Sequence, residues 1–441
     1  MKRCSIATLL LLYMCGLYSQ GNWNKVDFPS HHFLRSVFFT DSLYGWVAGD
    51  SGTIYHTPDG GLSWIKQTSH TNNEIVDIFF LDRNEGWASS YNYTVPPFGT
   101  VLLHTMDGGN NWIPSLYPVP DVFITCIFFF DQQNGWMGGR PHTLVKTTDG
   151  GLNWVQASVD TSTLAFFPVL GIHFYNRQYG YACGGRFDIA GVIWSTNDGG
   201  NRWRAIDPSY APADEVHGLH TFDSITVMGA GGDPDFGYGI GMIRTQNGGS
   251  TWSYDELGMQ GYAMDLDFRN ASEAWAPVAS RPAFIYSLDA GTTWTEIPSP
   301  DSSLINDVIF PDTVHGYAVG RNGAVLKYKP KLVGGIDLHE LPNRKAELSQ
   351  NYPNPFYEST IIAFHVTASE QAKYSSCSLI ICNIYGEEVA VIPVANTDEG
   401  SGEVRFSAAN LPGGIYFYHL MSHEKGHSQV VTLPRKMVLM K

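Results

Sequence analysis

Apolar residues along this chain come in short runs broken by Gly, Pro, Asn and Asp, as in Val37-Phe-Phe39 before Asp41 and Val47-Ala48 before Gly49. Runs this short, rich in β-branched and aromatic side chains and closed by turn formers, predict β-strands joined by tight turns. Long stretches with apolar residues at helical spacing are missing. After the first twenty residues the chain reads as all-β.

A longer period lies on top of this pattern. Thr57-Pro-Asp59-Gly-Gly61-Leu-Ser-Trp64 returns as Asp107-Gly-Gly109-Asn-Asn-Trp112 and Asp149-Gly-Gly151-Leu-Asn-Trp154. It returns again from Asp198 to Trp203, Asn247 to Trp252 and Asp289 to Trp294. Thr or Ser stands two places before each acidic position: Thr57, Thr105, Thr147, Thr196, Thr245 and Ser287. The tryptophans recur every 42 to 49 residues, a period that belongs to propellers and solenoids. Ahead of each phrase comes an apolar run, a turn and a Gly-aromatic pair: Gly45-Trp46, Gly86-Trp87, Gly135-Trp136 and Gly180-Tyr181, then Ala274-Trp275 and Gly316-Tyr317. The fifth copy is degraded to Val227-Met228.

Counting these pairs gives seven units. The seventh stops at Ala324-Val-Leu-Lys-Tyr328, without the strand that follows each tryptophan elsewhere, and Asn22-Trp23-Asn-Lys-Val26 reads as that missing strand. The expectation is a seven-bladed β-propeller of four-stranded blades over residues 20–330. Pairing its two ends would close the ring and remove exposed strand edges.

The flanks read differently. Met1-Lys2-Arg3, the apolar stretch Ile6 to Tyr13 and the small or polar Gly16, Ser19 and Gln20 predict a signal peptide over residues 1–19. It is too short to span a membrane, and nothing later in the chain reads as a transmembrane helix. A lipoprotein signal ending at Cys15 is the alternative, set against by Tyr13 and Met14 where such signals want small residues. Residues 331–347 read as a linker. Residues 348–441 read as a small Ig-like antiparallel β-sandwich of about seven strands.

Composition narrows the functional classes. The formal charge is −15 and all of it falls within residues 20–330, so a general nucleic-acid binder is excluded. Cys4 and Cys15 lie in the signal segment; Cys126, Cys183, Cys377 and Cys382 are expected to be free thiols. No metal spacing or cofactor motif appears, and no metal or cofactor is expected.

The phrase [Ser/Thr]-x-Asp-x-Gly-x-x-Trp resembles the Asp-box of sialidases and of many other propellers. That resemblance implies structural roles for Asp59, Asp107, Asp149, Asp198, Asn247 and Asp289. It implies the same for Trp64, Trp112, Trp154, Trp203, Trp252 and Trp294. The whole repeat is similar to photosystem II assembly-factor propellers over roughly 300 residues, a likeness that speaks for architecture more than activity. The last hundred residues carry Leu348-Ser-Gln-Asn-Tyr352-Pro-Asn-Pro-Phe356, Ile384-Tyr385-Gly386 and Leu411-Pro-Gly-Gly414-Ile-Tyr416, with Lys436-Met-Val-Leu-Met-Lys441 at the end. They resemble the type A C-terminal sorting domain of the type IX secretion system, with Phe356-Tyr-Glu-Ser where many members have Phe-Asn-Pro-Ser. The resemblance implies handling by that machinery and a secreted or outer-surface location reached through the periplasm.

A ligand is expected on the face opposite the repeated aspartate turns. Arg140, Arg186, Arg281 and Arg321 each follow a Gly-aromatic strand, and Arg35 is placed in an interblade connection on the same face. Together they would form a ring suited to carboxylates or acidic sugars. The alternative pairs each with Asp50, Asp188, Asp233 or a similar neighbour. Two long loops add aromatics: Tyr93 and Phe98 between Tyr91 and Gly99, Phe236 and Tyr238 between Gly231 and Gly241. A calcium site at Asp233 and Asp235 is less expected than plain turn chemistry.

No catalytic residue is assigned. The Arg-Ile-Pro motif of sialidases is missing, and Arg281-Pro282 does not replace it. No unrepeated carboxylate pair stands in a catalytic context, and His217 and His220 lack a carboxylate or cysteine partner in the sequence. The protein is expected to be a monomeric binder of a glycan or protein; the alternative is a hydrolase of extracellular polysaccharide. Asp41-Ser-Leu, Asp223-Ser-Ile and Asp312-Thr-Val also resemble a Bacteroidota O-glycosylation sequon, though turn-forming aspartate explains them equally.

Overall fold

The computed structural model describes residues 21–160, 162–234, 239–330, 346–366, 376–383, 388–394, 401–409, 411–424, 427–430, 432 and 434–441. The expected signal peptide, Phe236, Tyr238 and most of the expected linker lie outside them. The chain divides into a compact unit Gln20–Pro330 and a second that includes the C-terminal strands.

Seven sheets make the first unit, each built on four antiparallel strands that follow chain order from the innermost outward, except that the outermost strand of blade seven comes from the N-terminal end of the unit. In blade one these strands are Leu34–Phe39, Gly45–Gly49, Thr53–Thr57 and Ile65–Thr68. The innermost strands of blades two to seven are Glu74–Phe80, Phe123–Phe129, Val169–Phe174, Val216–Thr221, Asp267–Phe268 and Ile305–Ile309. Blade seven is completed by Asn22–Lys25, which pairs antiparallel with Val325–Lys329, Trp23 opposite Tyr328. The fold is a seven-bladed propeller closed by its two chain ends. Blade four alone gains a fifth strand, Ser158–Val159, running parallel to Arg202–Ala205.

One aromatic device joins the blades. At three of the seams the last aromatic of an innermost strand lies face-on against the second-strand aromatic of the preceding blade: Phe80 on Trp46, Phe129 on Trp87 and Phe39 on Tyr317, with centroids at 3.5, 3.7 and 3.7 Å. Its edge meets its own blade's repeated tryptophan, as in Phe80–Trp112 and Phe129–Trp154 at 5.7 and 5.9 Å. Such contacts add roughly 0.5–1.5 kcal/mol each beyond their buried area. The same ring explains the glycine of each Gly-aromatic pair: a Cβ on Gly45 would lie 2.4 Å from Phe39, and on Gly86 2.5 Å from Phe80. In the fifth blade the phenylalanine is Thr221, so the glycine position is free to hold Val227.

The repeated aspartate turns join third to fourth strands. In the first, Thr57 Oγ1 donates to Asp59 Oδ1 at 2.9 Å and accepts from the Gly61 N–H at 2.8 Å. Asp59 also accepts the Ser63 N–H at 2.9 Å. Gly60 and Gly61 sit at φ 69° and 82°, a region side chains disfavour. The turn between first and second strands is likewise shared by all seven blades: Asp41, Asp82, Asp131, Asn176, Asp223, Asn270 and Asp312 each accept backbone N–H groups two and three residues on. The three sequon-like aspartates are therefore members of a seven-fold turn set.

The second unit is a two-sheet sandwich. Ala346–Leu348, Ser359–Val366 and Ser401–Ser407 form one sheet. Glu388–Val394, Ser376–Asn383, Gly414–Glu424, His427–Val430 and Arg435–Leu439 form the other. That makes eight described strands against about seven expected, and the first begins inside the expected linker. The Asn-Tyr-Pro-Asn-Pro-Phe run is a joint between strands. Buried Asn351 gives its N–H to Tyr418 Oη at 2.7 Å and its amide to Thr360 Oγ1 at 2.9 Å, while Asn354 Oδ1 takes the Val438 N–H at 2.8 Å. The four described cysteines are free; Cys126, Cys183 and Cys377 are buried.

Candidate functional site

The innermost strands line a central channel of about 520 Å³. Six of them bulge at one equivalent point, the pairing slipping between Leu34 and Ser36, Ile75 and Asp77, Ile124 and Cys126, Val169 and Gly171, Val216 and Gly218, and Ile305 and Asp307. A bulge leaves one residue unpaired and re-aims its side chain. Arg35 is such a residue. It stands on the innermost strand of blade one and lines the channel, not an interblade connection as the sequence predicts.

The residue after the bulge ties its blade to a neighbour. Asp77 accepts the Ile127 N–H at 2.7 Å and the Ser36 hydroxyl at 3.2 Å. Asp307 takes the Val37 N–H at 2.7 Å, across the seam between blades seven and one. Asp265 takes the Val308 N–H at 3.3 Å and shares a hydrogen bond with Asp307. Two residues further, Asp267 accepts the Phe310 N–H at 2.7 Å. The sequence places no carboxylate pair in a special context; the ring brings Asp265 and Asp307 into direct contact across two blades.

Burial sets the charge of these groups. They edge the lumen yet lie deep in protein, and desolvation pushes Asp77 up to about 6 against its hydrogen bonds. Desolvation also raises Asp265 and Asp307, Asp307 further because Asp265 faces it, so the two titrate as a coupled pair. Burial depresses His173 to about 4, helped by His220, and His217 to about 3, helped by Arg140. The histidines also have partners that the sequence did not reveal. His217 Nε2 lies 3.4 Å from Glu215, and His220 Nδ1 lies 3.4 Å from Asp267. His173 Nδ1 meets Thr221 Oγ1 at 2.7 Å.

The channel's upper rim, away from the aspartate turns, holds four of the nine predicted residues: Arg35, Arg140, Arg321 and Tyr93. Arg35 is paired with Glu74 and, at 3.5 Å, Asp50, and lies over the Phe33 ring at 4.1 Å. Arg321 lies over the same ring at 5.4 Å. Tyr93 stacks on Phe123 at 4.7 Å and lies within the electrostatic reach of Glu74, Arg35 and Arg140. Arg140 forks onto both oxygens of buried Glu215 at 3.0 and 3.1 Å. His217, Phe187 and Tyr262 form a cluster with centroids 5.1–5.6 Å apart, and Tyr262 feels both Glu215 and Arg321. Contacts join Arg321, Phe33, Arg35 and Glu74 on one side and Arg140, Glu215, His217 and Tyr262 on the other, and electrostatic influence links the two through Tyr93 and between Tyr262 and Arg321.

Two arginines stand apart from it. Arg281 binds Glu296 at 2.8 Å and the Gln260 carbonyl at 2.7 Å. Arg186 is exposed, without a carboxylate partner among the described residues. Asp188 does not pair with it; Asp188, Asp214 and Asp233 instead bring a carboxylate oxygen each within 4.8 Å of one another. Phe98 is exposed on its loop.

The residues missed by sequence reasoning are Phe33, Glu74, Phe123, Phe187, Glu215 and Tyr262 on the rim, and Asp77, Asp265 and Asp307 below it. A signal for the acids exists: one polar or small residue, Ser36, Asp77, Cys126, Gly171, Gly218, Asp265 or Asp307, recurs before the apolar end of every innermost strand.

Comparison with known proteins agrees with this architecture. The chain matches the family described as Photosynthesis system II assembly factor YCF48 over residues 17–116 and 68–205, and the Secretion system C-terminal sorting domain over residues 350–433. It is 24% identical over 306 residues to the photosystem II assembly lipoprotein Ycf48 of Synechococcus sp. (strain CC9902), covering 60% of this chain and 88% of that one. It is 24% identical over 332 residues to the photosystem II stability/assembly factor HCF136 of Arabidopsis thaliana, covering 70% and 79%. Among solved structures, YCF48 bound to a D1 peptide superposes with a TM-score of 0.56 at 21% identity, over 71% of this chain and all of that one. A GH74 enzyme of Niastella koreensis gives 0.55 at 15% identity, over 93% and 74%. At these identities the likeness to the solved structures is one of fold. A sorting domain of this kind indicates export to the cell surface or secretion. Among the described residues, no helix is long and apolar enough to cross a membrane. With blades, rim and tail accounted for, the chain carries a propeller domain of the YCF48 (BNR) type and, at its C-terminus, a type IX secretion system sorting domain.

Proposed function

We propose that this secreted propeller is a monomeric binding protein whose ligand, a glycan or a protein segment, docks over the upper mouth of the channel. The observation that carries the reading is the rim, where guanidinium groups and aromatic rings alternate around one opening. Aromatic faces suit sugar rings or apolar side chains, and planar guanidinium forks suit carboxylates and hydroxyls. Three of the five predicted arginines are held by Glu74, Glu215 and Glu296, which fixes their geometry and spends part of their charge. Arg321 and Arg186 retain theirs for a ligand.

Binding is favoured over hydrolysis by the state of the acids. A glycoside hydrolase needs two carboxyl groups facing one cleft. The channel acids are instead bonded to each other and to backbone N–H groups of the next blade. The solved YCF48 propeller holds a D1 peptide, so a peptide arm belongs beside the glycans in any screen.

The test is saturable retention on immobilised polysaccharides and acidic peptides, with product release measured in parallel. Retention without products, lowered at least about tenfold in Tyr93→Ala/Arg321→Gln, is the expected result. Cleavage products, or retention that ignores both changes, would defeat the proposal.

A further inference from the structure

Five of the six repeated aspartate turns close on themselves through the residue before the tryptophan. Ser63 Oγ, Asn111 Nδ2, Asn153 Nδ2 and Thr293 Oγ1 donate to the second carboxylate oxygen of Asp59, Asp107, Asp149 and Asp289 at 2.6–2.7 Å. In the fifth turn Asn247 Nδ2 donates to Thr251 Oγ1 at 2.8 Å. The fourth turn departs from this. Asp198 takes the Arg202 backbone N–H at 3.0 Å, and among the described residues no side chain bonds its second oxygen. The Arg202 guanidinium is left outside the turn.

Two positions on stands Arg204, where other blades carry Ile65, Ile113, Val155, Ser253 or Thr295. The strand Arg202–Ala205 alternates exposed and buried residues, so both arginines lie on its exposed face, about 7 Å apart along the strand. Neither guanidinium has an ion-pair or hydrogen-bond partner among the described residues. Arg204's charge reaches Asp207, whose carboxylate is already held by Ser209.

Both arginines line a groove of about 600 Å³ between blades four and five. Ser195, Asn197 and Tyr179 supply neutral donors to its wall. The groove has a side that other blades lack, because the extra strand Ser158–Val159 pairs with Arg202 and Trp203 and the Asp160 N–H bonds the Trp203 carbonyl at 3.0 Å. Asp160 itself lines the groove and is its one carboxylate outside the repeated turn; it accepts the Ser162 N–H at 3.4 Å.

We infer that this groove is an oxyanion site, in which Arg202 and Arg204 converge on a sulfate, phosphate or carboxylate group while the neutral donors hold adjoining hydroxyls. It is separate from the upper rim. A protein of net charge −15 repels polyanions at long range, so retention of one requires a local cationic site of this kind.

The test uses the full chain and Arg202→Asn/Arg204→Thr, residues that the repeat itself places at those positions (Asn111, Asn153, Thr295). Dextran sulfate, sodium sulfate and uncharged dextran are titrated at ~0.15 M salt, alongside thermal melting and the rim variant Tyr93→Ala/Arg321→Gln. Dextran sulfate should bind the wild type saturably and the groove variant at least about tenfold more weakly. The melting temperature should be unchanged or higher, because Asn restores the turn's missing bond. Loss of sodium sulfate binding in the groove variant, without a dextran sulfate effect, would assign the site to the free ion. Equal binding by wild type and groove variant, no binding of either anion, or loss confined to the rim variant would each overturn the inference.

Discussion

Asp77 is a carboxylate used as mortar. Its two oxygens bond a neighbouring blade's N–H and a serine hydroxyl, and burial raises its pKa to about 6. An acid raised in the folded state keeps its proton after the unfolded chain has released it. Its contribution to stability is therefore full below about pH 4 and falls as pH rises to about 6. His173 and His217, depressed to about 4 and 3, act oppositely: stability gained from keeping them neutral grows as pH rises towards about 6.5. Asp77→Asn separates the two, because the amide can still accept from Ile127 and donate to Ser36 but does not titrate. Denaturant melts from pH 4 to 7 should show the variant gaining on the wild type by on the order of 1–3 kcal/mol. A constant difference would mean that Asp77 is ionised throughout. Little of this was legible in the sequence, since an aspartate in an apolar run reveals its partners only when the blades are curled into a ring. The aspartates of the repeated turns were legible because their partners lie within four residues.

At the scale of the element, the strand Asn22–Lys25 carries the closure. Trp23 is buried against Trp275, Phe284, Phe310 and Tyr328, with centroids 5.2–5.7 Å away. Replacing it with alanine should cost ~3–5 kcal/mol in equilibrium unfolding, and a loss below 1 kcal/mol would show that the seam adds little. The strand could be read in advance because its Trp-flanked pattern matches the outer strand of the other blades. The bulges could not, since pairing slips leave no residue-type mark beyond the recurring small or polar position. The extra strand Ser158–Val159 was equally hidden, being two residues long. The degraded fifth copy now has a reason: with Thr221 in place of an aromatic, Val227 and Met228 fill space that Gly and Trp occupy elsewhere.

For the molecule as a whole, the propeller and the sorting domain occupy different stretches of chain. Removing residues 348–441 should leave a folded propeller trapped in the periplasm, scored by fractionation and by an unchanged melting transition of the purified fragment. Its appearance in the medium at wild-type levels would mean that another segment carries the address. The division was open in the sequence because the repeat ends abruptly at Tyr328 and the tail has its own Pro- and Gly-marked motifs. The upper rim was open only in part. Five arginines were visible as candidates, but the glutamates that hold three of them come from other loops or strands, and sequence spacing says nothing of that.

The seam also bears on the order of folding events. Gly21 donates to the hydroxyl of Tyr328, a partner 307 positions later in the chain. Bringing such distant segments together carries the largest loop-closure entropy in the ring, and nothing rewards it until the intervening blades have formed. The strand Asn22–Lys25, synthesised before the blades, is thus expected to be the last to find its place. Until then Trp23 and an unpaired edge stay available to chaperones, and the wait suits a chain that must be handed across a membrane before it locks.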